Sequence, residues 1–510
     1  MSFNLMQQVR LRLTAQAKSN LCNSIWGGID FTVTTLSVFL LIPVLLKTVG
    51  QEMFGVMVIV NTLMGFSGVF GFGLGQATLK YVADYRASDN WVSIAEVIRT
   101  TLWVYCITGL FACLLIFCAS GWLAESVFRV SSHQLEDAIS SIRMGGFGFL
   151  GFLIFGVAEN AFKGFEQFKR PVVVRSIVRT LTLGGQIALA VAGMSLFWLV
   201  ALQVGLYFIG ALVLFICLRR ELVPNLNFSP WISIATLKDV FSYGVYTYLS
   251  GVFGMIRQNG DTLLVGAILG PSALAIYTIP IRLLSQVHAL LSRAYGYLFP
   301  YVAKLYAQGD TAGLERTYDR STLQIATISV GIITPIAIFS YEILQLWLGA
   351  EVASEAGGVA QVMALRFAIF PLSIVNSYFL MGSGKVQVMA GVTAVNAVLS
   401  LTVIGVCAYY FGIWGAALGQ LSVFVPVFIN RCLIEKQLFD VQNFMRIFVP
   451  PMLVVMPLLF CLSMELVDVS SLSVLYASLY AIVLVICSAF VVMTSLLLLG
   501  RLKPTCASLT

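Results

Sequence analysis

The sequence predicts an all-α membrane protein of about 14 transmembrane helices, built as two pseudo-symmetric six-helix bundles around a central cavity plus two C-terminal helices. Three observations predict it: apolar runs that follow one another almost end to end, basic residues confined to alternate loops, and an internal repeat about 220 residues long.

The first observation is compositional. Of 510 residues 59% are hydrophobic and 10% charged, too little polar surface to cover a water-soluble domain of this size. A bilayer core about 30 Å thick takes about 20 apolar residues per helical span. Hydropathy places such spans at 22–47, 54–79, 98–119, 140–162, 176–194 and 196–217, followed by a polar stretch over 219–238. Eight more follow at 240–260, 273–302, 322–347, 358–381, 388–411, 413–432, 447–465 and 472–499. Residues 262–269 either extend the seventh helix or form a short re-entrant piece. The resulting divisions are a cytoplasmic N-terminal segment at 1–21, a bundle at 22–220, a cytoplasmic linker at 221–239, a second bundle at 240–436, and two extra helices with a tail at 437–510.

The second observation orients the chain. Arg10, Lys80, Arg99, Arg175, Arg179, Arg219, Lys304, Arg316, Arg320 and Arg431 fall on one side with most other cations, whereas Lys47 and Arg129 lie on the other beside Glu52, Asp137 and Glu351. By the positive-inside rule both termini are cytoplasmic and the span number is even. The net charge of +7 then serves topology and not nucleic acid. Arg10, Arg12 and Lys18 precede no short apolar core with a cleavage site, so a retained N-terminus is expected. The ten cysteines show no C-x-x-C pair or metal spacing and read as packing residues; no cofactor is implied.

The third observation divides the chain. At the repeat offset, Gly50 faces Gly270, Phe54-Gly55-Val56 faces Leu274-Ala275-Ile276, and Tyr81-Val82-Ala83 faces Tyr301-Val302-Ala303. One residue of slippage aligns Arg99-Thr100-Thr101-Leu102 with Arg320-Ser321-Thr322-Leu323. Six spans being an even number, such a repeat is parallel, and two halves of this kind enclose a cleft that can open to either face.

Candidate functional residues are the charges inside spans. Arg143, Arg257, Arg282, Arg293 and Arg366 each cost several kcal/mol if lipid-exposed, so protein, water or an anion must meet them. Arg143 and Arg366 sit at similar places in the fourth and tenth spans, while Arg293 and Arg366 lie deep. A guanidinium fork suits phosphate, so Arg143, Arg257, Arg293 and Arg366 are the substrate-binding candidates. Competing structural readings are snorkelling for Arg143 and an i,i+4 pair with Asp261 for Arg257. Asp30, with Asp261, is the candidate for coupling to a proton or sodium gradient, against a reading as a salt partner. Glu159 and Lys163 read as an i,i+4 pair, His288 as a packed or titrating histidine, and the glycines at 68–75 and 145–151 as close-packing sites. Pro280, Pro335, Pro371, Pro426 and Pro457 would kink helices of the second half.

In Gly50-Gln51-Glu52-Met53-Phe54-Gly55, in Gly73-Leu74-Gly75-Gln76-Ala77-Thr78, and in the run from Asp261 through Gly270-Pro271 to Tyr277, the chain resembles Wzx-type O-antigen flippases over about residues 20–435. These belong to the multidrug, oligosaccharidyl-lipid and polysaccharide exporter superfamily. The resemblance implies two six-helix bundles in a V, a cationic central cavity, and transfer of undecaprenyl-diphosphate-linked oligosaccharide to the periplasmic leaflet of a bacterial inner membrane. It further implies a lipid-linked oligosaccharide and membrane lipids as partners, with a polysaccharide polymerase and chain-length machinery as associates. Lipid II flippases share the span count and cationic cavity and remain the alternative. Cation-coupled drug antiporters come third, because arginines outnumber acids within the spans. A membrane transferase would present a large outward loop, and the longest here is about 120–136.

Overall fold

A computed structural model describes residues 32, 35–71, 74–439 and 450–452; at 70, 235–250 and 257 the description extends to the backbone alone. The described residues are helical and contain no strand. Nine described stretches are long and apolar enough to cross a membrane, with Thr35–Thr48 a shorter apolar helix, here α1. Closed intrachain hydrogen bonding is what hydrocarbon demands of a spanning backbone. The last two predicted spans and the start of the first lie outside the described residues.

The chain divides into two compact units at Ala275/Ile276. The first holds α2 (Gly50–Gly65), α3 (Ser67–Phe70), α4 (Leu74–Ala87), α5 (Trp91–Trp122), α6 (Leu135–Gly164), α7 (Lys169–Val191), α8 (Leu196–Cys217) and the first part of α9 (Ile234–Ala294). The predicted span 54–79 is therefore broken, its helix stopping at Gly65 in the glycine-rich stretch. Residues 262–269 extend the seventh helix as far as Gly270, where φ is +84°.

Helix contact in this unit depends on small residues, since lipid removes the hydrophobic drive for helices to associate. A Cβ on Gly145 would lie 2.7 Å from Val60, and one on Gly148 2.5 Å from Met64 and 2.8 Å from Val204. Around these contacts Phe149, Leu153, Phe162 and Ile98 form a buried core with Leu214. Acids hold the connections between helices: Glu52 accepts from Ser131 N and Oγ at 2.6 and 2.7 Å, and Asp137 caps α8 by accepting from its first amides, Leu196 N and Phe197 N, at 3.1 and 3.2 Å.

The second unit contains the end of α9, α10 (Leu298–Ala307), α11 (Thr311–Ile338), α12 (Ser340–Leu348), α13 (Ala350–Ile369), α14 (Leu372–Gly382), α15 (Val386–Gly419) and α16 (Phe424–Ile434). Its prolines break helices that run unbroken in the first unit. Pro335 precedes the end of α11, and Pro371 separates α13 from α14. Pro280 leaves α9 unbroken, and Pro457 lies outside the described residues. Predicted spans 388–411 and 413–432 meet at Gly412, φ +59°, inside α15.

Backbone geometry repeats along with the sequence. Every described residue with positive φ has a counterpart near the repeat offset: Gly50 with Gly270, Asp89 with Gly309, Arg129 with Gly349, Glu166 with Gly384, and Gly193 with Gly412. Capping repeats too, since Asn90 Oδ1 accepts from Ser93 N at 3.1 Å and Asp310 Oδ1 from Gly313 N at 2.8 Å. Helix approach follows the same rule. A Cβ on Gly164 would lie 2.8 Å from Val82 and 2.9 Å from Leu79 O; one on Gly382 would lie 2.8 Å from Val302 and 3.1 Å from Ala303 N. Gly164→Val is accordingly expected to cost about 1–3 kcal/mol by overpacking, read as a lower thermal midpoint of the detergent-solubilised protein, with Gly156→Val, which meets open space, as the tolerated control.

Candidate functional site

In the first unit, polar side chains line up along α7 and α8 at helical spacing. Arg175, Arg179 and Gln186 follow one another on α7, and Gln203 and Tyr207 on α8. Glu159 of α6 accepts from Lys163 Nζ at 2.8 Å and from Arg175 at 2.7 Å, so the predicted i,i+4 pair is joined by a cation from the next helix. Further along, Gln186 Nε2 donates to Gln203 Oε1 at 3.2 Å and Gln203 Nε2 to Asn61 Oδ1 at 2.9 Å. Tyr207 packs its ring against Phe152 and Phe155 within electrostatic reach of Arg179 and Arg175. The stripe thus offers two guanidinium groups and an amine against one carboxylate, followed by amides that can bond hydroxyl groups.

Hydropathy begins the fifth span at 176, which puts Arg175 just outside it and Arg179 in its first turn, both on the cytoplasmic side; α7 instead begins at Lys169 and carries both. Their four-residue spacing, continued by Gln186, was the available signal.

Arg143 lies on α6 in the same unit, exposed, with Nε donating to Ser120 Oγ at 3.0 Å and Cζ 4.6 Å from the Phe117 ring. Arg257 lies on α9, and its side chain is outside the description; Asp30 lies outside the described residues altogether. Asp261 is buried at 7% exposure, and its Oδ1 accepts from Thr262 N at 2.9 Å.

The second unit holds the other two candidates. Arg366 occupies the last turn of α13, at the middle of the apolar stretch Ala350–Gly382. Its guanidinium lies over Phe367 at 4.8 Å and Phe370 at 5.5 Å, and His288 of α9 stacks on Phe370 at 4.2 Å. Arg293 is different from the expectation of a deep residue: α9 stops at Ala294, so Arg293 is exposed in its last turn. Both cations sit where orphan carbonyls make a helix C-terminus partly negative, which favours a guanidinium. Arg282, also on α9, is half-buried.

Arg143 and Arg366 do not occupy equivalent places. If the helix-ending Gly164 and Gly382 set the register, Gln361 corresponds to Arg143, and Gly148 to Arg366. That separates the two arginines by about 7 Å along the helix at 1.5 Å per residue. Among the described residues no group of three or more His, Cys, Asp or Glu could hold a metal ion.

The family described as "Polysaccharide biosynthesis protein" matches residues 23–306, and the family described as MatE matches 248–406. A curated relative, "Putative O-antigen transporter" of Shigella flexneri, is 20% identical over 406 residues, covering 78% of this chain and 93% of its own. Among solved structures, the lipid II flippase MurJ in an inward closed conformation superposes with a TM-score of 0.72 at 11% identity, over 95% of this chain and 100% of its own. An inward-facing multidrug resistance MATE family transporter of the MOP superfamily gives 0.68 at 15% identity, over 80% and 96%.

Proposed function

Because the chain belongs to the polysaccharide biosynthesis protein family, we propose that it is a flippase moving an undecaprenyl-diphosphate-linked oligosaccharide, an O-antigen or exopolysaccharide repeat unit, from the cytoplasmic to the periplasmic leaflet by alternating access. The observation that carries this reading is the excess of guanidinium groups over carboxylates on apolar helices: Arg175 and Arg179 in the first unit, Arg366 in the second. A diphosphate is the part of such a cargo that needs them, because planar guanidinium donors bind phosphate oxygens bidentately. Gln186, Gln203 and Asn61 suit the sugars, which present hydroxyls.

In this reading the chain has fourteen spans, lies in a bacterial inner membrane with both termini cytoplasmic, and supplies polymerase and chain-length machinery on the far side. Arg143, Arg257 and Arg293 are additional cargo contacts. Asp30 and Asp261 are coupling candidates, since a carboxylate whose solvent access alternates changes its charge state with the conformational cycle. Lipid II is the second cargo to consider, on the strength of the fold shared with MurJ over nearly the whole chain.

The deciding experiment is leaflet transfer in proteoliposomes, with lipid-linked oligosaccharide and lipid II offered in parallel, with and without a proton or sodium gradient. Oligosaccharide transfer by the wild type is the expected result. Efflux of a cationic dye with no transfer of either polyprenyl-linked glycan would replace the flippase by a drug antiporter. Asp30→Asn is expected to abolish the gradient dependence while leaving gradient-free transfer in place; unchanged dependence would remove coupling from Asp30.

A further inference from the structure

The second unit contains a cavity of about 560 Å³ where α10 meets the first three turns of α11. That volume falls in the range of about 300–1,000 Å³ typical of small-molecule sites. Tyr297 and Tyr301 line one side of it, Arg316 and Arg320 the other, with Asp310 at the turn between the helices. Asp310 is occupied as the cap of α11, its Oδ1 accepting from Gly313 N at 2.8 Å. Arg316 spends its Nε on Ala312 O at 3.2 Å, which leaves both terminal NH₂ groups to the cavity. Among the described residues the Arg320 side chain makes no hydrogen bond or ion pair.

Four residues apart on one helix, the two guanidinium groups share a face, and Tyr301 lies one turn along α10 from Tyr297, its N-cap. The tyrosines are 57% and 46% exposed, at the end of an apolar span, which is the position where aromatic rings mark the headgroup layer. The first repeat keeps half of this equipment: Tyr81 and Arg99 match Tyr301 and Arg320, whereas Ala77 stands in the place of Tyr297 and Ala95 or Glu96 in that of Arg316. The fold therefore does not require the paired arginines and paired tyrosines, since its counterpart is built with one of each.

We propose that this cavity binds the phosphate headgroup of a membrane lipid of the cytoplasmic leaflet, held by Arg316 and Arg320 and flanked by Tyr297 and Tyr301. Basic pockets at the cytoplasmic ends of membrane helices take anionic headgroups in this way, through charge-assisted bonds from a guanidinium fork. The proposal rests on the flippase reading only for placing this helix end at the cytoplasmic surface. It is distinct from the cargo contacts, and it assigns the second half a lipid that stays while the cargo passes.

Native mass spectrometry of the full-length protein, titrated separately with phosphatidylglycerol and with inorganic pyrophosphate, tests it without measuring transport, so failure here and failure of leaflet transfer are read independently. Phosphatidylglycerol is expected to occupy the wild type and to bind about ten-fold more weakly to R316Q/R320Q and to R320E, with K304Q, outside the cavity lining, unchanged. Elution at the wild-type volume on size exclusion identifies the variants as folded. Equal lipid occupancy in wild type and in both folded arginine variants overturns the proposal. Arginine-dependent binding of pyrophosphate without lipid overturns it also, by giving the site to a soluble phosphate.

Discussion

Arg366→Ala is expected to slow leaflet transfer of a lipid-linked oligosaccharide by about 10- to 100-fold at matched insertion into proteoliposomes. Hydrogen bonds from a charged donor contribute about 1.5–3 kcal/mol, which corresponds to that range at about 1.4 kcal/mol per decade. The local structure explains why the loss should fall on transport and not on folding. The guanidinium sits over Phe367 and Phe370 in the last turn of α13, with the helix C-terminus carrying part of its charge. Arg366→Lys keeps the charge but forfeits the planar fork, so it should recover only part of the rate. Wild-type transfer by a correctly inserted Arg366→Ala protein would remove this residue from the cargo path. A comparable loss of thermal stability would instead make it a structural residue.

The second large effect is expected at Arg431 and Glu435. Arg431 lies in the last turn of α16 and Glu435 just past its end, one helical turn apart, at 1% and 0% exposure. Tyr318 packs its ring against the Arg431 guanidinium at 5.4 Å and donates to Asn376 Oδ1 at 3.1 Å; Asn376 Nδ2 in turn donates to Val427 O at 3.3 Å. Enclosed at the four-residue spacing that lets opposite charges compensate each other, neither charge is tolerated alone, so Glu435→Ala and Arg431→Met should each cost about 3–5 kcal/mol. Replacing both, as Arg431→Met with Glu435→Leu, should restore most of that stability, because two buried charges are exchanged for apolar side chains of similar volume. Unfolding in increasing detergent denaturant measures the three variants. Single variants as stable as the parent would show that the two groups reach water.

These residues illustrate how much was legible beforehand. Apolar runs announce helices directly, so α5 through α8 stand close to where hydropathy places them. The repeat was legible as well, from matches as short as Tyr81-Val82-Ala83, because a duplicated fold needs the same turns and close approaches at the same places. Gly50 and Gly270 are paired in the sequence, and their φ angles of +83° and +84° give the reason. Arg431 was not legible. It follows an apolar run, as a cytoplasmic loop residue does, and only the helix packing beneath Tyr318 reveals that it is enclosed.

Arg293 and Arg175 were misplaced for a related reason. A hydropathy window averages over about five turns of helix, so a cation near a boundary is assigned to loop or span by its neighbours' composition. α9 ends at Ala294 and α7 begins at Lys169, and these limits alone move Arg293 toward an end and Arg175 onto a helix.

By itself, then, the sequence determined the solvent, the helical class, the two-fold repetition and the cationic character of the spans, all of which are sums over many residues and tolerate local error. Tertiary structure decided which arginines are enclosed, which are anchored by Ser120 or Glu159, and which are left facing a cavity. Those outcomes turn on single contacts of about 3 Å between helices far apart in the chain, and a guanidinium has the same composition whether a carboxylate, a ring or open space lies opposite it.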